Sequence, residues 1–180
     1  MIDKDNLYKK IENVLSNDEV ELLKRYCIIK HKTNRDNFDI IQNNNGDTCF
    51  YNDAIMTSLL EQKRPLIEKH CNKKLWPTYA FWRMYSKYAT LITHTDRPSC
   101  EISVTINLGS SGEKWPIFMD GNGIDINPGE GVIYMGCKIK HWREEFKGDW
   151  SAQVFLHYVD QEGPYSKHKW DKKIFLGSER

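Results

Sequence analysis

The sequence lacks the features that would place it in several protein classes. It has no run approaching the roughly 18 apolar residues of a membrane-spanning helix. Its N-terminus, MIDKDNLYKKIENVL, carries charges throughout and has no separate apolar block, unlike a signal peptide. The five cysteines are odd in number, widely spaced and without a CxxC pair, which argues against a disulfide framework or a thiolate zinc site. We therefore expect a cytoplasmic protein with unpaired thiols and no membrane association.

An excess of charge of either sign is also missing. The 26 Lys and Arg residues nearly balance the 25 Asp and Glu residues, so the net charge is +1, and no long-range field would attract nucleic acid or anionic lipid. We expect a peptide or small-molecule substrate and no nucleic acid, and the oligomeric state stays open. What the sequence does have is aromatic residues, with six Trp, nine Tyr and seven Phe in 180 residues. They indicate a folded core, and the length favours a single domain.

The N-terminal third is predicted to be mainly helical. Ser16 followed by Glu19 forms a capping box, which marks the start of a first helix. A second helix is expected over about 51–71, and Pro65 should kink or split it. The polar segment 33–48 is predicted to be a loop, and it is a candidate lid.

Beyond Trp76 the pattern changes to short strands. Segments rich in β-branched and aromatic residues alternate with Gly- and Pro-containing turns, and the strands are expected at 79–92, 102–108, 131–134 and 153–159. Helices followed by many short strands predict an antiparallel double sheet or barrel supported by helices. The fold class is therefore α+β, mainly β with N-terminal helices.

Three residues form a candidate metal site. His94 and Asp96 lie two apart at the end of a predicted strand and so share one face. His141 follows 45 residues after Asp96, at the end of another strand. Two imidazoles and one carboxylate leave open positions on a metal ion, as non-haem Fe(II) oxygen chemistry requires. The same ligands accept Zn(II), so the spacing alone also allows a zinc hydrolase or isomerase, or polar residues that bind no metal.

The surroundings of these residues resemble the Fe(II)- and 2-oxoglutarate-dependent dioxygenases, in particular the prolyl-4-hydroxylase-like branch. The matching segments cover about residues 76–159. They are FWRMYSKYATLITHTD, which holds Tyr85 nine residues before His94, the strand EISVTINL, the turn and strand NPGEGVIYMGCKIKH with its distal histidine, and the closing strand QVFLHYV. The resemblance implies a double-stranded β-helix, or jelly roll, within one oxygenase domain over 1–180. In that domain 1–75 would be mainly helical support, 76–160 the jelly-roll core and 161–180 a tail.

The resemblance also implies a function. His94, Asp96 and His141 would be the catalytic residues and bind Fe(II), with 2-oxoglutarate and O2 as cosubstrates and ascorbate as a candidate reductant. Decarboxylation of 2-oxoglutarate would drive oxidation of a substrate C–H bond, and the expected enzyme is a hydroxylase acting on peptidyl proline, an amino acid or another small molecule. A non-enzymatic binding module on the same fold is an alternative. In that case Arg83, Tyr85 and Arg143 would not converge on the metal cavity.

The far carboxylate of 2-oxoglutarate needs a strong donor, for which an arginine is the best match. In the family a basic residue usually lies about ten positions after the distal histidine, but here that position is Ser151, followed by Gln153. Either could still donate a hydrogen bond. Arg83 lies two before Tyr85, and the corresponding pair in nucleic-acid-demethylase relatives contacts 2-oxoglutarate. Arg143, two after the distal histidine, is the other candidate.

Several further polar residues lie near the predicted site. His157 is expected to be a buried, hydrogen-bonded histidine and not a fourth metal ligand. Arg97 and Glu101 are expected to pair with each other or to contact substrate. His31, His70 and His168 have no partner spacing and are expected at the surface.

Overall fold

Two antiparallel sheets form the body of the protein. The computed structural model describes residues 1–33 and 46–178. Its ten strands are β1 (Tyr8–Ile11), β2 (Thr48–Tyr51), β3 (Leu75–Ser86), β4 (Leu91–His94), β5 (Ile102–Ser110), β6 (Ile117–Met119), β7 (Asn122–Ile124), β8 (Gly131–Tyr134), β9 (His141–Arg143) and β10 (Trp150–Asp160). The larger sheet has the order β1-β8-β5-β10-β3-β2, and the smaller has the order β4-β9-β6-β7. The predicted class, mainly β with N-terminal helices, is confirmed.

Two helices, α1 (Asn17–Thr33) and α2 (Ala54–Cys71), pack on the larger sheet. The predicted capping box begins α1, since the Ser16 amide donates to Glu19 Oε2 at 2.8 Å and the Glu19 amide donates to Ser16 Oγ at 3.2 Å. The core under the helices is apolar and fully buried, as at Leu60, Ile67 and Trp82. Each such side chain contributes about 1.5–3 kcal/mol. Among the described residues, no helix is both long enough and apolar enough to cross a membrane.

Three expectations for the first 75 residues were wrong or only partly right. Helix α2 is continuous through Pro65, so the proline does not split it in two. The cost of the missing hydrogen bond is about 3 kcal/mol, and it is offset because Leu60 and Ile67 are buried on either side of the proline. Strand β1 was not predicted. Strand β2 begins inside the segment expected to be a loop, and residues 34–45 of that segment, with the expected lid, lie outside the described residues.

The Asp171 carboxylate connects the C-terminal segment to the rest of the protein through several hydrogen bonds. A short 3₁₀ helix, η1 (Pro98–Cys100), contacts η2 (Ser166–Lys172), a segment of 3₁₀ turns interrupted by non-helical backbone at 169–171. Asp171 in η2 accepts hydrogen bonds from Arg97 Nη1 at 2.7 Å and Nη2 at 2.9 Å, from Ser99 Oγ at 2.6 Å, and from the Tyr51 hydroxyl. Arg97 therefore pairs with Asp171 and not with Glu101. The expectation for His168 was also wrong, since it is buried beside Ser99.

The Asp171→Asn variant should test how much this carboxylate stabilises the fold. Asp171 has a left-handed φ of 54°, which asparagine tolerates, so the substitution removes mainly the charge. We expect the free energy of unfolding at pH 7 to fall by about 1 kcal/mol, a small value because Arg97 is partly exposed. Urea denaturation measures this change.

The difference in free energy of unfolding between the wild type and Asp171→Asn should depend on pH in a definite direction. Burial alone would raise the pKa of Asp171, but the hydrogen bonds from Arg97, Ser99 and Tyr51 outweigh it and lower the pKa to about 2. The stabilisation is therefore present above the ordinary carboxyl pKa and is lost as the pH falls towards 2. The gap between wild type and Asp171→Asn should narrow over that range, and a constant gap would contradict this account.

Candidate metal centre and cosubstrate pocket

The two histidines of the predicted site face each other across a strand pair. His94 ends β4 and His141 begins β9, and they are direct partners in the β4–β9 register. Their ring centroids are 4.3 Å apart. Asp96 follows β4, and its Oδ1 lies 3.6 Å from Nε2 of both histidines. One ligand atom from each residue lies within 4.8 Å of the others. The fold thus brings His141 to His94 and Asp96, although it lies 45 residues after Asp96 in the sequence.

Hydrogen bonds to backbone carbonyls orient both histidines. Nδ1 of His94 lies 2.8 Å from the Ile92 carbonyl oxygen, and Nδ1 of His141 lies 3.1 Å from the Ile139 carbonyl oxygen. A carbonyl only accepts, so each Nδ1 carries the proton and each Nε2 keeps a free lone pair towards Asp96. Backbone partners of this kind are typical of metal-binding histidines. Two imidazole nitrogens and a carboxylate oxygen are a donor set that fits Fe(II).

The protonation states also suit metal binding. Burial would raise the pKa of Asp96, but the surrounding imidazoles of His94, His157 and His141 lower it, so the carboxylate is ionised at neutral pH. Burial lowers the pKa of His141. Contact with the Asp96 carboxylate raises the pKa of His94, which favours a second proton on this imidazole, and a metal ion would take the place of that proton on Nε2. An ionised carboxylate beside a neutral imidazole is the form that a metal ion requires.

Gly136 lies directly against Asp96. The Asp96 amide donates to the Gly136 carbonyl at 2.8 Å. A Cβ at Gly136 would collide with Asp96 Oδ2 and with the Cys100 carbonyl oxygen, and it would lie 3.0 Å from Asp96 Cβ. Only glycine leaves room for this carboxylate, although nothing in the sequence alone marked the position.

The Gly136→Ala variant should weaken metal binding. The added methyl group must displace Asp96 or the backbone of Cys100, so the dissociation constant for Fe(II) should rise by about 10- to 100-fold, as when an outer partner of a metal ligand is lost. Anaerobic titration measures the affinity. Gly123→Ala is a matched control, because its Cβ would meet only the Phe118 ring, with the nearest carbon at 3.1 Å. Equal affinities in the two variants would contradict the role of Gly136.

A cavity of about 260 Å³ opens beside the three residues. Tyr85 and Arg83 line it, as do aromatic side chains. Arg83 is not available as a free cation, because its Nε and Nη2 lie 2.8 Å and 2.7 Å from Asp47 Oδ2 and both residues are buried. Asp47 also accepts from the amide and hydroxyl of Ser86. Nothing in the sequence pointed to Asp47 as the partner of Arg83.

Arg143 is in a different electrostatic environment. It is 1% exposed and has no acidic partner among the described residues. Nη1 donates to the Trp115 carbonyl, Nη2 lies 3.4 Å from Gln153 Oε1, and Nε is buried without a partner. Burial lowers its pKa to about 10, so it remains a cation at neutral pH. It lies beside Tyr85 and Tyr134, which line the cavity.

Ser151 and Gln153 belong to the surroundings of this arginine. Gln153 Nε2 donates to Ser151 Oγ at 3.0 Å and lies 3.4 Å from Asn107 Oδ1. In the sheet register Ser151 is opposite Tyr85, and Gln153 is opposite Arg83. The two residues therefore join a buried polar network around Arg143 and do not contact the metal ligands. Asn107 was not foreseen, because its strand segment has no distinguishing motif.

A second group of possible ligands comprises Asp96, Cys100 and His157. Its members are already held by hydrogen bonds: His157 Nδ1 lies 2.9 Å from Ser103 Oγ, and Cys100 Sγ lies 3.0 Å from the Tyr79 hydroxyl. His157 is buried and hydrogen-bonded, as expected. The His94, Asp96 and His141 group is the better metal site, because burial raises the pKa of the Cys100 thiol and a protonated thiol is a poor metal ligand.

Comparison with solved structures shows the fold. A Pseudomonas putida prolyl-4-hydroxylase is 16% identical over 86% of this chain and 92% of its own, with a TM-score of 0.66. A Trichoplax adhaerens prolyl hydroxylase, solved with a hypoxia inducible factor peptide, is 14% identical over 87% and 85%, with a TM-score of 0.66. The non-haem alpha ketoglutarate dependent epimerase SnoN from nogalamycin biosynthesis is 9% identical over 85% and 78%, with a TM-score of 0.70.

These likenesses confirm the predicted resemblance at the level of the fold, since prolyl hydroxylases are among the structures that share it. No family model matches the chain. No curated protein matches it either.

Proposed function

We propose that this protein, which has the fold of the prolyl hydroxylases and related oxygenases, is an Fe(II)- and 2-oxoglutarate-dependent dioxygenase. His94, Asp96 and His141 are the proposed metal ligands. The observation that carries the proposal is the convergence of two free Nε2 atoms and one carboxylate at a cavity. Close to that cavity is a buried arginine without an acidic partner among the described residues.

The chain's own residues have distinct proposed tasks. Bound Fe(II) would supply O2 activation coupled to decarboxylation of 2-oxoglutarate. Arg143 would bind the far carboxylate of 2-oxoglutarate, because a buried cation and a dicarboxylate each lack a partner without the other. Burial raises the pKa of Tyr85, so its hydroxyl keeps the proton and can donate to the same carboxylate. Ser151 and Gln153 would hold the guanidinium in place.

We also propose a class of substrate and a type of reaction. The cavity wall includes Tyr51, Tyr79, Phe81 and Phe155, which suits a substrate with an apolar group next to the oxidised carbon. One prolyl hydroxylase of this fold has been solved with a peptide, which supports a peptide substrate. An epimerase shares the fold as well, so the fold does not determine the type of reaction. Hydroxylation of peptidyl proline, an amino acid or another small molecule is proposed from the sequence resemblance. Ascorbate as reductant is proposed on the same basis.

The surroundings of the metal site also bear on the two alternatives. A binding module predicts that Arg83, Tyr85 and Arg143 do not converge on the metal cavity. Arg83 and Tyr85 line that cavity, and Arg143 lies beside Tyr85 without lining it. A zinc hydrolase or isomerase does not require a buried arginine near the metal that, like Arg143, has no acidic partner among the described residues. Both observations favour the oxygenase.

A spectroscopic experiment tests the proposal. Anaerobic addition of Fe(II) and 2-oxoglutarate together should produce a weak visible charge-transfer band that neither produces alone. Admission of air should then release succinate. Absence of the band in folded protein, or tight Zn(II) binding with hydrolytic turnover, would contradict the proposal.

A further inference from the structure

His157 lies between a proposed metal ligand and the aromatic part of the cavity. Its imidazole is buried on β10 and lines the same cavity as the metal-binding residues. The ring lies 4.4 Å from the Tyr79 ring, centroid to centroid. Its Nδ1 lies 2.9 Å from Ser103 Oγ. The position combines a fixed orientation with access to the cavity.

The Ser103 hydroxyl determines which nitrogen of His157 carries the proton. Ser103 Oγ is 3.1 Å from Asp96 Oδ2 and 3.1 Å from the Cys100 carbonyl oxygen. Both of these oxygens only accept, so the single hydroxyl proton is donated to one of them, with preference for the charged carboxylate. Ser103 Oγ must therefore accept from His157, and the proton lies on Nδ1. The other nitrogen, Nε2, is then an acceptor with a free lone pair.

His157 Nε2 has no hydrogen-bond donor as a partner within residues 1–33 and 46–178. A polar atom at the edge of an aromatic cavity is costly to desolvate unless a donor pairs with it when the cavity fills. We propose that His157 is a specificity-determining residue whose Nε2 accepts a hydrogen bond from an N–H or O–H group of the substrate. The substrate class is then a molecule with such a donor next to an apolar or aromatic body. This inference rests on the proposed function only in treating the cavity as the substrate site.

A pair of small probes tests the assignment on the metal-free protein. Phenol has an aromatic body and one O–H donor, and anisole is the same molecule with the donor blocked by a methyl group. Histidine-labelled protein should show His157 with a protonated Nδ1 and a bare Nε2 in two-bond 1H–15N spectra. Phenol should shift the Nε2 signal and bind about fivefold more tightly than anisole, as expected for one net hydrogen bond. The preference should disappear in His157→Phe.

Matched variants check the cause of the tautomer. Ser103→Ala removes the hydroxyl that receives the Nδ1 proton, so the fixed tautomer should be lost. Ser151→Ala removes another buried hydroxyl on the same strand as His157, and should leave the tautomer unchanged. A proton on Nε2 in the wild type, or equal affinities for phenol and anisole, would overturn the proposal.

Zn(II) distinguishes a substrate contact from a metal ligand. Its addition should shift the Nε2 signals of His94 and His141 and leave that of His157 in place. A coordination shift at His157 Nε2 would overturn the proposal. Because none of these measurements uses iron, 2-oxoglutarate or O2, their failure is separate from a failure of the charge-transfer test.

Discussion

Replacing Arg143 with methionine is expected to weaken 2-oxoglutarate binding by about 100-fold without unfolding the protein. The lost interaction is a charge-assisted contact in a buried site, and such contacts contribute about 1.5–3 kcal/mol or more. Arg143 has no acidic partner within the described parts of the chain, so its removal leaves no carboxylate buried alone. Methionine fills a similar volume, and the free energy of unfolding should stay level or rise.

Arg83→Met is the matched comparison, because the same substitution at the arginine that lines the cavity should reduce stability more than 2-oxoglutarate affinity. It would leave Asp47 buried without the cation that neutralises it. Breaking a buried ion pair in this way costs about 3–5 kcal/mol. We therefore expect Arg83→Met to be strongly destabilised, with a smaller effect on 2-oxoglutarate affinity in the fraction that folds.

Two measurements separate the arginines: urea denaturation of the metal-free variants, and anaerobic titration of each Fe(II)-loaded variant with 2-oxoglutarate. The assignment of Arg143 fails if 2-oxoglutarate binds Arg143→Met as tightly as it binds the wild type. It also fails if Arg83→Met is stable but has lost 2-oxoglutarate binding, because Arg83 would then be the anchor.

Removing Asp96 should have the largest effect on the metal. Asp96 is the only carboxylate among the proposed ligands, and its Oδ1 lies 3.6 Å from each histidine Nε2. Loss of an outer hydrogen-bond partner already costs about 10- to 100-fold in metal affinity, so loss of the ligand itself should cost more. We expect Asp96→Ala to bind Fe(II) more than about 100-fold more weakly and to form no detectable succinate.

The control for that variant is Asp125→Ala, which removes an exposed carboxylate that lies 3.4 Å from Lys114 in the turn after β7. It should leave metal affinity and succinate formation unchanged. His94→Ala should behave as Asp96→Ala does. Undiminished succinate formation in either ligand variant, measured under air with saturating 2-oxoglutarate, would remove that residue from the proposed mechanism.

Much of the fold could be predicted because local patterns encode it. The capping box at Ser16 and Glu19 acts within one helical turn, and its hydrogen bonds are formed as expected. The strand segments and their Gly- and Pro-containing turns likewise depend on neighbouring residues. The helix does not split at Pro65, because the local cost of the proline is outweighed by burial of α2 on a distant sheet. Strand β2 was missed because its pairing partner, β3, supplies the hydrogen bonds.

The candidate site likewise has one part that the sequence predicts and another that depends on contacts between distant residues. By itself, the sequence determined three potential ligands and the strand that ends at His94, two residues before Asp96. The tertiary structure alone decided which arginine keeps an unneutralised charge. Asp47 reaches Arg83 from 36 residues away, and no carboxylate among the described residues reaches Arg143. Neutralisation of a buried charge depends on partners within a few ångströms, and only the fold decides which distant residues come that close.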